Sequence, residues 1–360
     1  MDALVTALDA DAVRALPKVE LHVHLEGTFS GEAIATMADA SGVALPRPTA
    51  RLFEFTDLTD FLGFLDWTCT LVATPAAAAQ VAYDHARRSA ADGIVRSEVI
   101  INPTHWPHWD LGELVAALTA GFDRAADEGL TDCHLLLSVL RGQSTAEALA
   151  LVEWIGAHRP RRVVGVSIDG DEARSGRTGP RFAPAFTRAR ELGIHRTAHA
   201  GESSGAEGVI DALDLLHVER IDHGVRAADD PALIERLAAT GTTLNACVTS
   251  NLVHLYPDLD AHPVATLRAA GVRITLNTDD PGYLGIDLTG ELLRTAGHHG
   301  WTLHDLAALQ ANAIDAAFCD EATRAALHRR LADHLAAHVT GHLTGPPSDH
   351  PFTVTPPGVP

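Results

Sequence analysis

Two hydrophobic periods alternate along this 360-residue chain. Stretches with an apolar residue at every third or fourth position run up to a glycine, and a short run rich in Val, Ile and Leu follows. "ARRSAADG" precedes "IVRSEVIINP", and "RAADEGL" precedes "TDCHLLLSVL". The pattern returns in "RARELG" before "IHRTAHAGE", "RLAATG" before "TTLNACV" and "TLRAAG" before "VRITLNTDDP". The longer period predicts helices and the compact apolar runs predict buried strands. Gly93, Gly129, Gly193, Gly241 and Gly271 stand where helices should end, because glycine reaches the left-handed conformation cheaply. "RRVVGVSIDG" and "VERIDHG" lack that glycine but also follow helical stretches. With the opening run "KVELHVHLEG", eight strands are expected, near positions 20, 97, 136, 165, 197, 221, 244 and 274.

Strands that alternate with helices pair in parallel, because each connection must cross over the sheet. Eight such units predict an α/β fold of the (β/α)8 TIM-type barrel; an open doubly wound sheet is the second choice. No GxGxxG follows the first strand, which weakens a dinucleotide-binding version of that alternative. The spacing breaks once, after the first strand. That gap contains "DLTDFLGFLDWTCTLV", where Leu58, Phe61, Leu62, Leu65 and Trp67 form a helical apolar cluster. Ordinary packing explains such a cluster; its functional version is a helical lid over about residues 45–90 at the barrel mouth. A single barrel domain is expected over residues 1–344, with a loosely attached proline-rich tail over 345–360.

With 46% hydrophobic residues the chain has material for a sizeable core. Its formal net charge of -20 would repel a phosphate backbone, so no nucleic-acid partner is expected, though a small purine is not excluded. No apolar stretch is long enough to span a membrane, and acidic residues stand where a signal peptide would be basic, so a cytoplasmic location is the default expectation. Cys69, Cys133, Cys247 and Cys319 are scattered without a CxxC pair, which fits small buried side chains better than a zinc ribbon or a redox dithiol. Lys18 is the sole lysine. Its isolation removes P-loop chemistry, most Schiff-base chemistry and a metal pair bridged by a modified lysine.

The polar residues collect at strand ends. The first strand ends in His22-Val23-His24, the fourth in Asp169-Gly170-Asp171-Glu172, and the fifth in "HAGE" with His199 and Glu202. The sixth ends in Asp222-His223 and the last in Asp279-Asp280. Active sites of such barrels lie at the C-terminal ends of the strands. Each piece has a bland explanation: with 21 histidines an HxH pair arises by chance, and an isolated Asp-Asp is most often a cap or a loop. Their joint placement is what chance does not explain. His22 and His24 share one face of a strand and reach one cation together. His199 adds a third nitrogen and Asp279 an oxygen, a set that suits one zinc ion, with cobalt or iron also possible.

"PKVELHVHLEG", "HAGE", "RIDHG" and "NTDDP", in this order, resemble the adenosine deaminase family of zinc hydrolases, and the likeness runs from the first strand to "NAIDAAF". The resemblance implies a barrel with one catalytic metal that deaminates an aminopurine at C6. His22, His24, His199 and Asp279 would be its ligands. Glu202 would protonate N1, and His223 would orient and deprotonate the water that attacks C6. Asp280 would hold that water or N7, the Gly170 backbone N–H would meet N3, and His24 and Glu26 would also border the substrate. Many adenosine-specific members carry Asp at the position of Glu26, which is associated with the sugar, and "SIDGDE" replaces the more usual "DLAGDE". "HLEG" and "DDPGYLG" are similar to the adenine deaminase branch. Adenosine or an adenosine-like nucleoside is the first expectation, with adenine or aminodeoxyfutalosine as alternatives. A non-catalytic barrel that binds a purine or a partner is the reading from another class, and phosphoester or amide hydrolysis ranks third.

Overall fold

The computed structural model describes residues 8–56 and 58–342; the expected tail over 345–360 lies outside the described residues. Nine strand segments make up eight barrel positions. The first five are β1 (Lys18–His24), β2 (Ile94–Ile101), β3 (Asp132–Leu140), β4 (Val163–Asp169) and β5 (His195–Arg196). The rest are β6 (His199–Ala200), β7 (Arg220–His223), β8 (Thr243–Ala246) and β9 (Ile274–Leu276). Every pairing is parallel, in the orders β1-β2-β3-β4-β5 and β6-β7-β8-β9. The eight expected strands are all present.

The fifth is the irregular one. β5 pairs with β4 and β6 with β7, so one short strand passes its hydrogen bonds from one neighbour to the next. The Thr197 N–H still reaches Val166 O at 3.0 Å, and the Asp222 N–H reaches Ala198 O at 2.8 Å. The two arcs join again between β9 and β1, where the His24 N–H donates to Asp279 O at 2.8 Å and the Asp279 N–H to His22 O at 3.2 Å. The sheet is thereby closed, and its edge strands are removed.

Helices between the strands carry the caps their sequences announce. Ser144 and Glu147 form a capping box on Thr145–His158, as Thr302 and Asp305 do on Leu303–Ala316. Gly93 turns the chain from helix Pro75–Ala91 into β2 with φ +77°, and a Cβ there would lie 2.1 Å from Arg14 O. The sole lysine works at the opposite end of the barrel from the polar strand ends. Buried Lys18 donates from Nζ to Val13 O, Arg14 O and Leu16 O at 3.0, 2.9 and 3.2 Å, closing the C-terminus of helix Ala10–Ala15. Phe318 plugs that end against Ile100 and Leu136, under the Arg220 guanidinium at 3.9 Å from its ring centroid.

The break in spacing after β1 holds two extra helices, Gly31–Ala40 and Leu58–Thr70, ahead of the crossover helix Pro75–Ala91. Phe61 and Phe64 of the second pack with Phe53, Phe55 and Tyr283, all ring centroids lying within 6.3 Å of a neighbour's. Tyr283 sits just past Asp279-Asp280, so this aromatic cluster ties the insertion to the loop after β9.

Candidate metal centre

Four imidazoles and one carboxylate meet inside the C-terminal end of the barrel. His22 and His24 come from β1, His199 from β6, His223 from β7, and Asp279 from the turn after β9. The shared face predicted for His22 and His24 is realised: their ring centroids lie 5.5 Å apart, and those of His22 lie 4.6 Å from both His199 and His223. His22 Nε2 is 3.2 Å and His24 Nε2 3.4 Å from Asp279 Oδ1, while His24 Nε2 and His199 Nε2 are 3.0 Å apart. Donor atoms of His22, His199, His223 and Asp279 all fall within 4.8 Å of one another. His24 thus meets two members of that group, and His223 completes it from the other side.

Two of these residues hold unusual backbone. His223 and Asp279 have φ +62° and +64°, a left-handed region that costs a non-glycine residue of the order of 1 kcal/mol or more. Strain of this kind persists where surrounding structure over-determines it, and here it turns both side chains inward.

These residues fit a cation. Neither ring nitrogen of His22 nor Nδ1 of His199 has a hydrogen-bond partner among the described residues, although both rings are buried. Two imidazole nitrogens 3.0 Å apart can share only one proton. Burial alone would lower His22, but Asp279 and Asp222 outweigh it and raise that ring to about 9, so the local field calls for positive charge. His199 is pushed the other way by burial and by its neighbouring imidazoles. Nitrogen donors with one carboxylate are a zinc-type set. Behind them stands Asp222, with Oδ1 3.8 Å from His22 Nδ1 and Oδ2 3.7 Å from His199 Nδ1. Asn245 Nδ2 and Thr197 Oγ1 donate to it at 2.8 and 2.9 Å, which fixes a negative charge behind both rings.

The acids surround this centre. Glu202 Oε1 lies 3.5 Å from His223 Nε2, and burial, reinforced by the charges of Asp279 and Glu172, raises Glu202 to about 8. That shift favours the protonated form, the one that can donate. Asp280 is also raised, by burial and then by Asp279, and its Oδ1 has no partner among the described residues. A Cβ on Gly27 would lie 1.8 Å from that oxygen, so the glycine of "HLEG" makes room for Asp280. Glu26 is buried, with Oε1 accepting from Trp106 Nε1 and the Asn102 N–H. Gly170 turns between Asp169 and Asp171 with φ +94°, and Asn102 Nδ2 holds Asp169 Oδ1 at 2.6 Å.

Sequence reasoning assigned no role to the residues that fasten this site from behind. Glu172 accepts from the backbone N–H groups of Gly201, Glu202 and Ser204 at 3.1, 2.8 and 3.3 Å. Arg141 pairs with Glu172 at 3.3 Å and also donates to His199 O, so one ion pair grips both ends of the "HAGE" turn. Asn251 and His262 lie behind His223. The available signal was position: Arg141 directly follows β3, and Asn251 comes five residues after β8.

Comparison with known proteins agrees with this geometry. The model of the family described as adenosine deaminase matches residues 17–334. An adenine deaminase of Rhodospirillum rubrum is 37% identical over 333 residues, covering 91% of this chain and 99% of its own length. One from Cupriavidus pinatubonensis is 38% identical, covering 88% and 91%. Among solved structures, an amidohydrolase from Burkholderia ambifaria with bound zinc superposes with a TM-score of 0.84 at 31% identity, covering 95% of this chain and 96% of that one.

Proposed function

The chain belongs to the adenosine deaminase family and is a metal-dependent deaminase, and from that premise we propose that its substrate is free adenine, converted with water to hypoxanthine and ammonia. Adenosine, the first expectation from the resemblance, gives way to the alternative. The observation that carries this choice is the naming of near-full-length relatives at 37% and 38% identity as adenine deaminases. The site supports it. Glu26, at the position associated with the sugar, is one methylene longer than Asp, and one of its oxygens is already taken by Trp106 and Asn102. Trp106 is itself buried at 1% exposure, which leaves that wall fixed.

In this reading His22, His24, His199 and Asp279 would hold one zinc-like ion, which would supply Lewis acidity and make a nearby water more acidic. Glu202 donates its proton to N1 of the purine, drawing electrons from C6 as water adds there. His223 would orient that water and take its proton, a proton then passes to the amino nitrogen so that ammonia leaves, and Asp280 would meet the water or N7 from the other side. The Gly170 N–H and Glu26 border the ring. Ser250 donates to Asp279 Oδ2 at 2.7 Å and keeps that carboxylate in place.

Ammonia release from adenine by protein of known metal content, with identification of hypoxanthine, tests the reading. Glu202→Gln should abolish turnover while keeping the metal, and His22→Ala should lose both. A metal-loaded protein inactive on every aminopurine would leave only a binding barrel.

A further inference from the structure

Glu202, Asp280 and Glu26 each have a place in the reading above; Asp169, the last residue of β4, has none. Side chains alternate along a strand, so Asp169 shares a face with Ser167. Ser167 Oγ reaches Asp222 Oδ2 at 3.4 Å inside the barrel, and Asp169 therefore points inward as well, at the end where the site lies. It is buried, and its Oδ1 accepts from Asn102 Nδ2 at 2.6 Å. That amide is held in one orientation, because Asn102 Oδ1 already accepts from the Thr104 N–H at 3.0 Å and from Thr104 Oγ1 at 2.6 Å. The Asn102 backbone N–H meanwhile donates to Glu26 Oε1. One asparagine thus holds two carboxyls on the same side of the pocket. Asp169 Oδ2 takes no hydrogen bond among the described residues, so this buried carboxyl keeps an acceptor in reserve. Glu26 Oε2 has no partner among them either, but it is Asp169 that adjoins Gly170.

Free adenine differs from adenosine at one ring atom. N9 carries hydrogen in the base and carbon in the nucleoside, so a site for the base gains from an acceptor at N9 and a site for the nucleoside does not. N3 and N9 are bonded to the same carbon, C4, and consecutive Cα atoms stand only about 3.8 Å apart. A Gly170 N–H that borders the ring at N3 therefore sets the preceding side chain beside N9. We infer that Asp169 accepts the N9–H of free adenine and is the residue that separates the base from its nucleosides, with Asn102 as its positioning residue. A sugar on N9 removes the donor and leaves a buried carboxyl oxygen facing carbon, without a partner. A site built to bond a donor rejects an analogue that lacks it more strongly than an apolar pocket rejects a poor fit. The inference rests on the adenine reading and adds the atom at which the choice is made.

Kinetics on adenine and 9-methyladenine, with calorimetric binding of purine and 9-methylpurine, which have no amino group to lose, test it. The methyl group removes the N9 donor without the bulk of a sugar. Wild type should favour adenine in kcat/KM, and purine in affinity, by about 100-fold or more. Asp169→Ala should lower kcat/KM for adenine about 100-fold and narrow both preferences to within about tenfold. Asp169→Asn keeps the shape, but its oxygen faces the Asn102 donor and its NH2 group meets N9–H, so adenine should lose at least as much. Equal or better handling of the methylated bases by wild type, or unchanged preferences in either variant, overturns the proposal. Should Asp169→Ala fail to fold, Asp169→Asn decides. A protein inactive on every aminopurine that still binds purine over 9-methylpurine, and loses that preference in Asp169→Asn, would refute the deaminase reading and leave the N9 contact standing. Binding of neither base, with no activity, would overturn both.

Discussion

Trp106 donates its indole N–H to Glu26 Oε1 at 2.7 Å, and the Asn102 backbone N–H donates to the same oxygen at 2.9 Å. Burial raises the Glu26 pKa, and its second oxygen has no partner among the described residues. Trp106→Phe keeps the apolar wall and removes one donor, at a cost of about 1.5 kcal/mol. We expect kcat/KM for adenine to fall about tenfold, by that figure, with the preference for adenine over adenosine narrowed. An unchanged preference would separate Trp106 from substrate selection.

Glu172 and Arg141 hold the "HAGE" turn between them, and both side chains are buried, at 3% and 8% exposure. Glu172→Gln places an amide against backbone donors and leaves Arg141 short of its charge partner. Removing one member of a buried pair costs about 3 kcal/mol or more. Urea unfolding should show that loss. Steady-state assays should show a lower kcat with metal content maintained, because Glu202 hangs from the loosened turn.

Gly27 has no conformational need to be glycine; its role is room. An added Cβ would meet Asp280 Oδ1 at 1.8 Å and Asp280 Cα at 2.7 Å. Because backbone is among the atoms met, a rotamer change cannot absorb the clash. Gly27→Ala should displace Asp280 and lower kcat/KM by about 100-fold, the scale of a lost acid–base group, with the circular dichroism of the fold retained.

Stability at low pH depends on a network at the other end of the barrel. Glu98 accepts from Arg220 at 2.6 Å, from Arg96 at 3.0 Å and from the Phe318 N–H at 2.8 Å. Burial alone would raise this carboxyl, but Arg220 and Arg96 outweigh it and hold it at about 2 against an ordinary 4.5. A depressed carboxyl stabilises the fold above its unfolded value and loses that contribution as pH falls toward its folded one. Glu98→Gln should therefore be less stable than wild type by about 3 kcal/mol at pH 7. The gap should shrink between pH 4.5 and about 2. Urea midpoints at stepped pH measure it.

The strands and the inward-facing set were legible because each rests on local pattern. An apolar run after a glycine marks a strand wherever it stands, and His22 and His24 declare a shared face by spacing alone. The division of the fifth strand was not legible, since it depends on which neighbour pairs with Arg196 and which with His199. The fastening residues were hidden for the same reason. Arg141 meets Glu172 31 positions away, and Asn251 meets His223 across 28. Single polar residues in a turn or a short helix at a strand end carry no periodicity, and only the closed barrel brings them together. Lys18 shows the reverse: its rarity excluded several chemistries, while its task as a cap on a neighbouring helix emerged from the fold.

A comparison of kcat/KM on adenine, adenosine, 2′-deoxyadenosine and 5′-extended adenine nucleosides, with the zinc-loaded protein, tests the central claim most directly. On the proposed reading, in which the buried Glu26–Trp106 pair borders the place a sugar would take, adenine should be favoured by about 100-fold or more. Equal or greater kcat/KM for adenosine, or for a 5′-extended nucleoside, would contradict the account.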